Sequence, residues 1–256
     1  MLYRMRELVV IGVGELGKLL GAGALRSGLR VTPITRKMRA SEVLKQVAAR
    51  TPILVSVGEN ALPELLEALP EGHRENVILL QNELFPSTYR THGISPSVLI
   101  PWLLQKARMP TIVARPTPIY GPRAALIAEI FDALSLPHER LTTDAELRQA
   151  LVDKYAFILT INALGLSTDR TLGMWLQEDP AQVWDICDEV THLGEALAEA
   201  SIDPARSQIS TQEAMIALSH VPARGRSARE RVERALSHAA RLGFDLPALT
   251  RLARSH

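Results

Sequence analysis

The sequence predicts an α/β protein in two parts, a doubly wound parallel sheet with helices on both faces followed by an all-helical region. Short apolar runs ending near glycine or polar residues alternate with segments of helical periodicity in the first half, and the links between them are short. Beyond Thr143 strand signals almost vanish. Alternation with short links argues for parallel strands joined by right-handed crossovers. A chain of 256 residues can close two cores, and the change of character divides it into domains at 1–143 and 144–256.

Residues 7–12 read ELVVIG, an apolar run suited to a strand buried on both faces. From 15 to 27 apolar residues recur at helical spacing and Gly28 supplies a stop, so 29–35 forms the second strand. A helix over 38–50, a strand over 52–57, a helix over 61–69 and a strand over 76–81 continue the pattern. Segments 97–104, 109–116 and 118–120 are extended but broken by prolines, which suits further strands, some antiparallel. A helix over 123–134 and a strand near 138–141 close the first domain. Helical patterns at 145–165, 181–201, 210–218 and 227–242 make up the second.

The apolar fraction of 46% is that of a globular chain, and a net charge of +1 gives no field that argues for nucleic acid or an anionic membrane. The single cysteine, Cys187, reads as structural; with no signal-type or transmembrane-length run, a reducing cytoplasm is the expected location. The seven histidines lack ligand spacing, so no metal is expected. The tryptophans read as packing residues, with Trp175 a further candidate to line a cleft. Eight arginines stand between 224 and 254 against Glu230, Glu233 and Asp245. Without an aromatic platform this reads as a solvated helix face rather than a nucleic-acid surface, while Arg224 or Arg226 could instead meet a substrate carboxylate.

Gly12-Val13-Gly14-Glu15-Leu16-Gly17 spells GxGxxG between a strand and a helix. In that setting Gly12 makes the tight turn, Gly14 lets a pyrophosphate approach the backbone, and Gly17 lets helix and strand pack closely. Gly12, Gly14, Glu15, Leu16 and Gly17 are therefore the expected dinucleotide cradle of a Rossmann-type domain. No Asp or Glu lies between Glu15 and Glu42 to accept from a ribose 2′-hydroxyl; the second strand instead runs into Arg36-Lys37. A guanidinium grips phosphate in two places, so the expected cofactor is NADP, held at Arg36 and Lys37.

These features, with the apolar run VILLQNELF over 77–85 and the frame Lys154-x3-Ile158-x3-Asn162, resemble the ketopantoate reductase (2-dehydropantoate 2-reductase) family within the six-phosphogluconate-dehydrogenase-like group. The resemblance implies that Lys154 is the general acid of carbonyl reduction, that Asn162 holds substrate, and that Asn82 sits beside the nicotinamide and the substrate. A homodimer is a further implication. Helical geometry agrees in part, since positions 154, 158 and 162 drift across roughly 80° of one helix face. A lysine desolvated beside a dinucleotide has its pKa lowered toward neutrality, where it can give a proton to oxygen as hydride reaches carbon.

The chain departs from the family where substrate should sit. Gly58 replaces a lysine after the third strand, Ile158 replaces the middle asparagine, and Asn82 is followed by Glu83 rather than glycine. The family's C-terminal Ser-Ser-Met and Thr-Glu-Ile-Asp runs are not preserved over 213–233, although Ser219, Ser227 and Glu230 lie nearby. Each polar partner lost costs roughly 1–3 kcal/mol of affinity. The expected activity is NADPH-dependent reduction of a 2-oxo acid or a bulkier, less polar carbonyl compound. The alternative is a non-catalytic NADP(H)-binding protein.

Overall fold

Strand β1 (Glu7–Ile11) lies second from one edge of a mostly parallel seven-stranded sheet in the computed structural model, which describes residues 6–106, 109–223, 225 and 227–254. Helix α1 (Glu15–Arg26) follows it, then β2 (Arg30–Ile34), which pairs with β1 on one side. After α2 (Ala40–Leu44), β3 (Ile53–Val55) pairs with β1 on the other side. Helix α3 (Leu62–Ala68) leads to β4 (Val77–Leu79), and α4 (Pro86–Arg90) leads to β5 (Ser97–Leu99). Strands β6 (Leu103–Leu104) and β7 (Ile112–Val113) form a separate antiparallel pair. Strand β8 (Thr117–Tyr120) joins β5 antiparallel, and after α5 (Ala124–Ala133) β9 (His138–Arg140) closes the edge parallel to β8. The order is β2-β1-β3-β4-β5-β8-β9, which reverses direction between β1 and β3. Ligands of open α/β sheets bind at the carboxyl ends of the strands beside such a reversal.

One face of the sheet presents Leu8, Val10, Leu54, Ile78, Leu99 and Ile119 to α1 and α5. Each such side chain contributes about 1.5–3 kcal/mol when fully buried. On α1, a Cβ at Gly23 would stand 2.8 Å from the Ile130 carbonyl of α5, so only glycine permits this approach. The helix predicted over 38–50 is confined to Ala40–Leu44, because Leu44 is its sole buried residue and nothing beyond it anchors another turn.

The chain divides into two compact units, Met1–Thr143 and Asp144–His256. The second is built round α6 (Asp144–Ser167), against which α8 (Pro180–Ala198), α9 (Pro204–Ala217), α10 (Ala228–Leu242) and α11 (Pro247–Arg254) pack. Helix α7 (Leu172–Glu178) packs on α8 and α9. Long and apolar enough to cross a membrane by length and composition, α6 nonetheless has 78% of its most apolar window buried, as befits a core helix. Helix α9 begins well before the predicted 210, since Asp203 accepts from the Ala205 amide and Pro204 occupies the first turn.

Candidate functional site

The glycines of the turn in the sheet unit stand in different surroundings. Gly12 has φ +91°, and a Cβ there would stand 2.3 Å from the Ser56 carbonyl oxygen at the end of β3. A Cβ on Gly17 would stand 2.0 Å from the Gly12 carbonyl oxygen, so α1 can begin this close to β1 only with glycine. Gly14 differs: a Cβ there meets nothing within 4 Å, and the residue is exposed. Packing explains Gly12 and Gly17, whereas the space at Gly14 is open. The first helical bond of α1 runs from the Lys18 amide to Gly14 at 2.9 Å, so the amides of Glu15, Leu16 and Gly17 lie in the first turn, where a helix has no acceptors of its own. This arrangement fits a pyrophosphate. Arg36 and Lys37 form the exposed turn just past β2, at the same carboxyl edge.

Further along that edge, Gln81 ties β3 to β4 by donating to the Val55 carbonyl at 2.9 Å and the Val57 carbonyl at 3.2 Å. Asn82 follows, half-buried, and its amide donates to Glu59 Oε1 at 3.3 Å. Glu59 opens a 3₁₀ turn after the exposed Gly58, and the half-buried Glu83 comes directly after Asn82. Where the resemblance leads one to expect a lysine stands Gly58 with Glu59 beside it, and where it leads one to expect a glycine stands Glu83.

In the helical unit Lys154 is 6% exposed, so the ordinary arrangement of buried stem and hydrated ammonium does not hold. Burial pushes its pKa down to about 7, and the Arg231 guanidinium on α10 adds to the effect by repulsion. Nζ lies 5.2 Å from the centroid of the Phe157 ring, a contact that favours the charged form but does not outweigh desolvation. Ile158 is half-buried one turn on. Asn162 is 1% exposed; its Nδ2 donates to the Ile158 carbonyl, and its Oδ1 has no hydrogen-bond partner among the described residues. Gly225 crosses here, and a Cβ on it would stand 2.5 Å from that oxygen.

The residue beside Lys154 escapes any reading of motifs. Asp153, 4% exposed, accepts from Gln149 Nε2 and Ser207 Oγ, both at 2.7 Å, and from Ser210 Oγ at 3.4 Å. Gln149 in turn accepts from the Asp203 amide at 2.7 Å, so a buried polar network joins α6 to the start of α9. An acidic residue one place from a candidate lysine is the available signal, but only the packing of α9 reveals its donors.

Other residues take plainer places. Trp102 and Trp175 are buried beneath the guanidinia of Arg115 and Arg170, each 5.1 Å from the ring centroid. Cys187 is buried and unpaired, and burial raises its thiol pKa. Arg224 and Arg226 lie outside the described residues. A cavity of about 820 Å³, lined in part by Leu29, Arg50, Pro52 and Arg123, opens at the amino-terminal edge of the sheet, away from the glycine turn.

No protein-family model matches the sequence, and no curated protein matches it either. Solved structures do match, over nearly the whole chain. D-mandelate dehydrogenase in complex with NADH aligns at a TM-score of 0.70 and 14% identity, covering 97% of both chains. The 2-dehydropantoate 2-reductase of Methylococcus capsulatus aligns at 0.69 and 13% identity, covering 96% of this chain and 94% of that one. The dimeric ketopantoate reductase of Staphylococcus aureus aligns at 0.66 and 14% identity, covering 96% of both. The chain is thus a two-part α/β protein with a mostly parallel sheet and a large helical part. Its fold is the one that ketopantoate reductases share with D-mandelate dehydrogenase, at identities that speak for fold alone.

Proposed function

We propose that the chain is a divergent member of the ketopantoate reductase family, an oxidoreductase that uses NADPH to reduce a 2-oxo acid or a related carbonyl compound with Lys154 as proton donor. The observation that carries this reading is the buried Lys154 with its pKa near 7. A lysine in water stays protonated at neutral pH and parts with its proton reluctantly; one balanced near neutrality gives or takes a proton with little driving force against it. Gly12, Gly14, Glu15, Leu16 and Gly17 take the pyrophosphate, Arg36 and Lys37 the 2′-phosphate. Bound NADPH would supply the hydride that reaches the carbonyl carbon. The Lys154 ammonium delivers the proton to the carbonyl oxygen, leaving the neutral amine that burial favours, and in the reverse direction the amine acts as base. Asn82 and Asn162 hold substrate, the buried Oδ1 of Asn162 being an acceptor for a hydroxyl donor. Gly58 and Ile158 remove polar partners at roughly 1–3 kcal/mol each, which favours a less polar compound than ketopantoate. A homodimer belongs to the same reading, the S. aureus reductase of this fold being dimeric.

The test follows nicotinamide absorbance with a panel of 2-oxo acids, for wild type and Lys154→Ala, with NADPH and with NADH. Turnover with NADPH is expected to fall by about a hundredfold or more in the variant. NADH should serve at least about tenfold worse than NADPH in wild type, an advantage lost in Arg36→Ala. Undiminished turnover in Lys154→Ala would reject the proton donor, and equal use of both cofactors the 2′-phosphate site. Tight NADPH binding without turnover across the panel would leave the non-catalytic NADP(H)-binding protein as the better description.

A further inference from the structure

The carboxyl edge of the sheet carries negative charge where a nicotinamide would come to rest. Three positions along the edge fix the direction of a dinucleotide. Arg36 and Lys37 stand past the end of β2, the glycine turn past β1, and Glu59 and Glu83 past β3 and β4. With the 2′-phosphate at β2 and the pyrophosphate at β1, the other half of the molecule must extend over β3 and β4. Neighbouring strands lie about 4.8 Å apart, so β4 is roughly 10 Å from β1, within reach of a nicotinamide riboside. That edge is held rigidly, since Gln81 clamps the ends of β3 and β4 and the Asn82 amide donates to Glu59 Oε1.

The two redox forms of the cofactor carry the same phosphates and differ in the ring, which is a cation when oxidised and neutral when reduced. A carboxylate near the ring therefore acts on the oxidised form alone. We infer that Glu59 and Glu83 tune the bound cofactor toward its oxidised form, which makes bound NADPH the stronger hydride donor and biases the site toward reducing the carbonyl compound. This rests on the nucleotide-binding reading above and goes beyond it by assigning two charge-tuning residues and a direction of poise. It does not require either carboxylate to lack other partners, because Glu→Gln makes the local field more positive by one charge whatever else the side chain touches. Charges at such distances in a partly solvated site alter the affinity of a cation by roughly threefold to tenfold each.

The experiment measures the dissociation constants of NADP+ and NADPH, by calorimetry or ring fluorescence, for wild type, Glu59→Gln, Glu83→Gln and the double variant. The quantity read is the ratio of the NADPH constant to the NADP+ constant, from which effects common to both forms cancel. It should fall by roughly threefold or more in each single variant and tenfold or more in the double variant, and a tenfold change is about 30 mV in the two-electron couple. Arg36→Ala should weaken both forms alike and leave the ratio in place. Glu59→Gln keeps an oxygen to accept from the Asn82 amide, and Glu83→Gln tests the charge without touching that bond. Both forms binding with ratios within twofold of wild type would overturn the inference and spare the nucleotide reading. Wild type binding neither form would overturn both.

Discussion

A lysine that is 6% exposed, with a pKa near 7, leaves a mark on stability as well as on chemistry. Between about 7 and its ordinary 10.5 the unfolded chain holds a proton on Lys154 that the folded chain has released. Stability therefore rises with pH across that window; below about 7 both states are protonated and the penalty for burying the cation is full. The size is on the order of several kcal/mol. Lys154→Met fills similar volume without the charge. Urea unfolding should show the variant more stable than wild type at pH 7, with the gap narrowing as the pH approaches 10. The buried Cys187 thiol acts in the opposite sense at alkaline pH but is common to both proteins. Parallel pH profiles for the two proteins would mean that Lys154 is hydrated after all. The spacing of Lys154, Ile158 and Asn162 was legible in the sequence because it is local to one helix. Arg231 was not, since it reaches the lysine only through the packing of α10 on α6.

Helix α6 is buried on nearly all sides from Leu147 on and has no apolar stripe, so hydrophobic periodicity cannot fix its rotation. The Asp153 network supplies what the apolar surface lacks. Its carboxylate takes hydrogen bonds from Gln149 on its own helix and from Ser207 and Ser210 on α9, and these directional bonds allow only one seating. Asp153→Ala takes the acceptor from the Ser207 hydroxyl inside the unit and leaves the Gln149 amide only the longer bonds to the Asp203 carbonyl at 3.2 Å and Ser207 Oγ at 3.4 Å. A loss of about 3 kcal/mol is expected in urea unfolding, with Ser207→Ala losing about 1. A change below about 0.5 kcal/mol for Asp153→Ala would show that the network has no part in seating α6. The strong elements were readable because their signals are strong: β1 ends in a glycine turn, and α8 and α10 have apolar stripes of normal length. The elements missed are short. Helix α4 spans Pro86–Arg90, α7 spans Leu172–Glu178 and α11 spans Pro247–Arg254. Pieces of this length are unstable alone and exist because neighbours cover Tyr89, Trp175 and Leu249, a tertiary effect that local periodicity cannot register.

At the scale of the molecule, the sheet unit and the helical unit each close their own core, and a sequence only 13–14% identical to its structural neighbours retains their fold over nearly its full length. What such divergence preserves is pattern: alternation of apolar runs, turn residues at strand ends, and glycines where backbone crowds backbone. The glycine turn could then be either a packing device inherited with the fold or a working ligand site, and the geometry separates these through Gly14. Because a Cβ at Gly14 meets nothing within 4 Å, Gly14→Ala should leave the unfolding midpoint of the free protein within about 2 °C of wild type. A ligand at a hundred times its dissociation constant adds about 2.7 kcal/mol to folding, which for a chain of this length raises the midpoint by roughly 5–10 °C. Wild type should show that rise with NADPH, whereas Gly14→Ala, with a methyl group in the space the pyrophosphate needs, should show little of it. Gly17→Ala should be less stable even without ligand, because its Cβ would stand 2.0 Å from the Gly12 carbonyl oxygen. A full NADPH shift in Gly14→Ala would place the nucleotide elsewhere. A shift absent from wild type would reduce the turn to packing and take the cofactor reading with it.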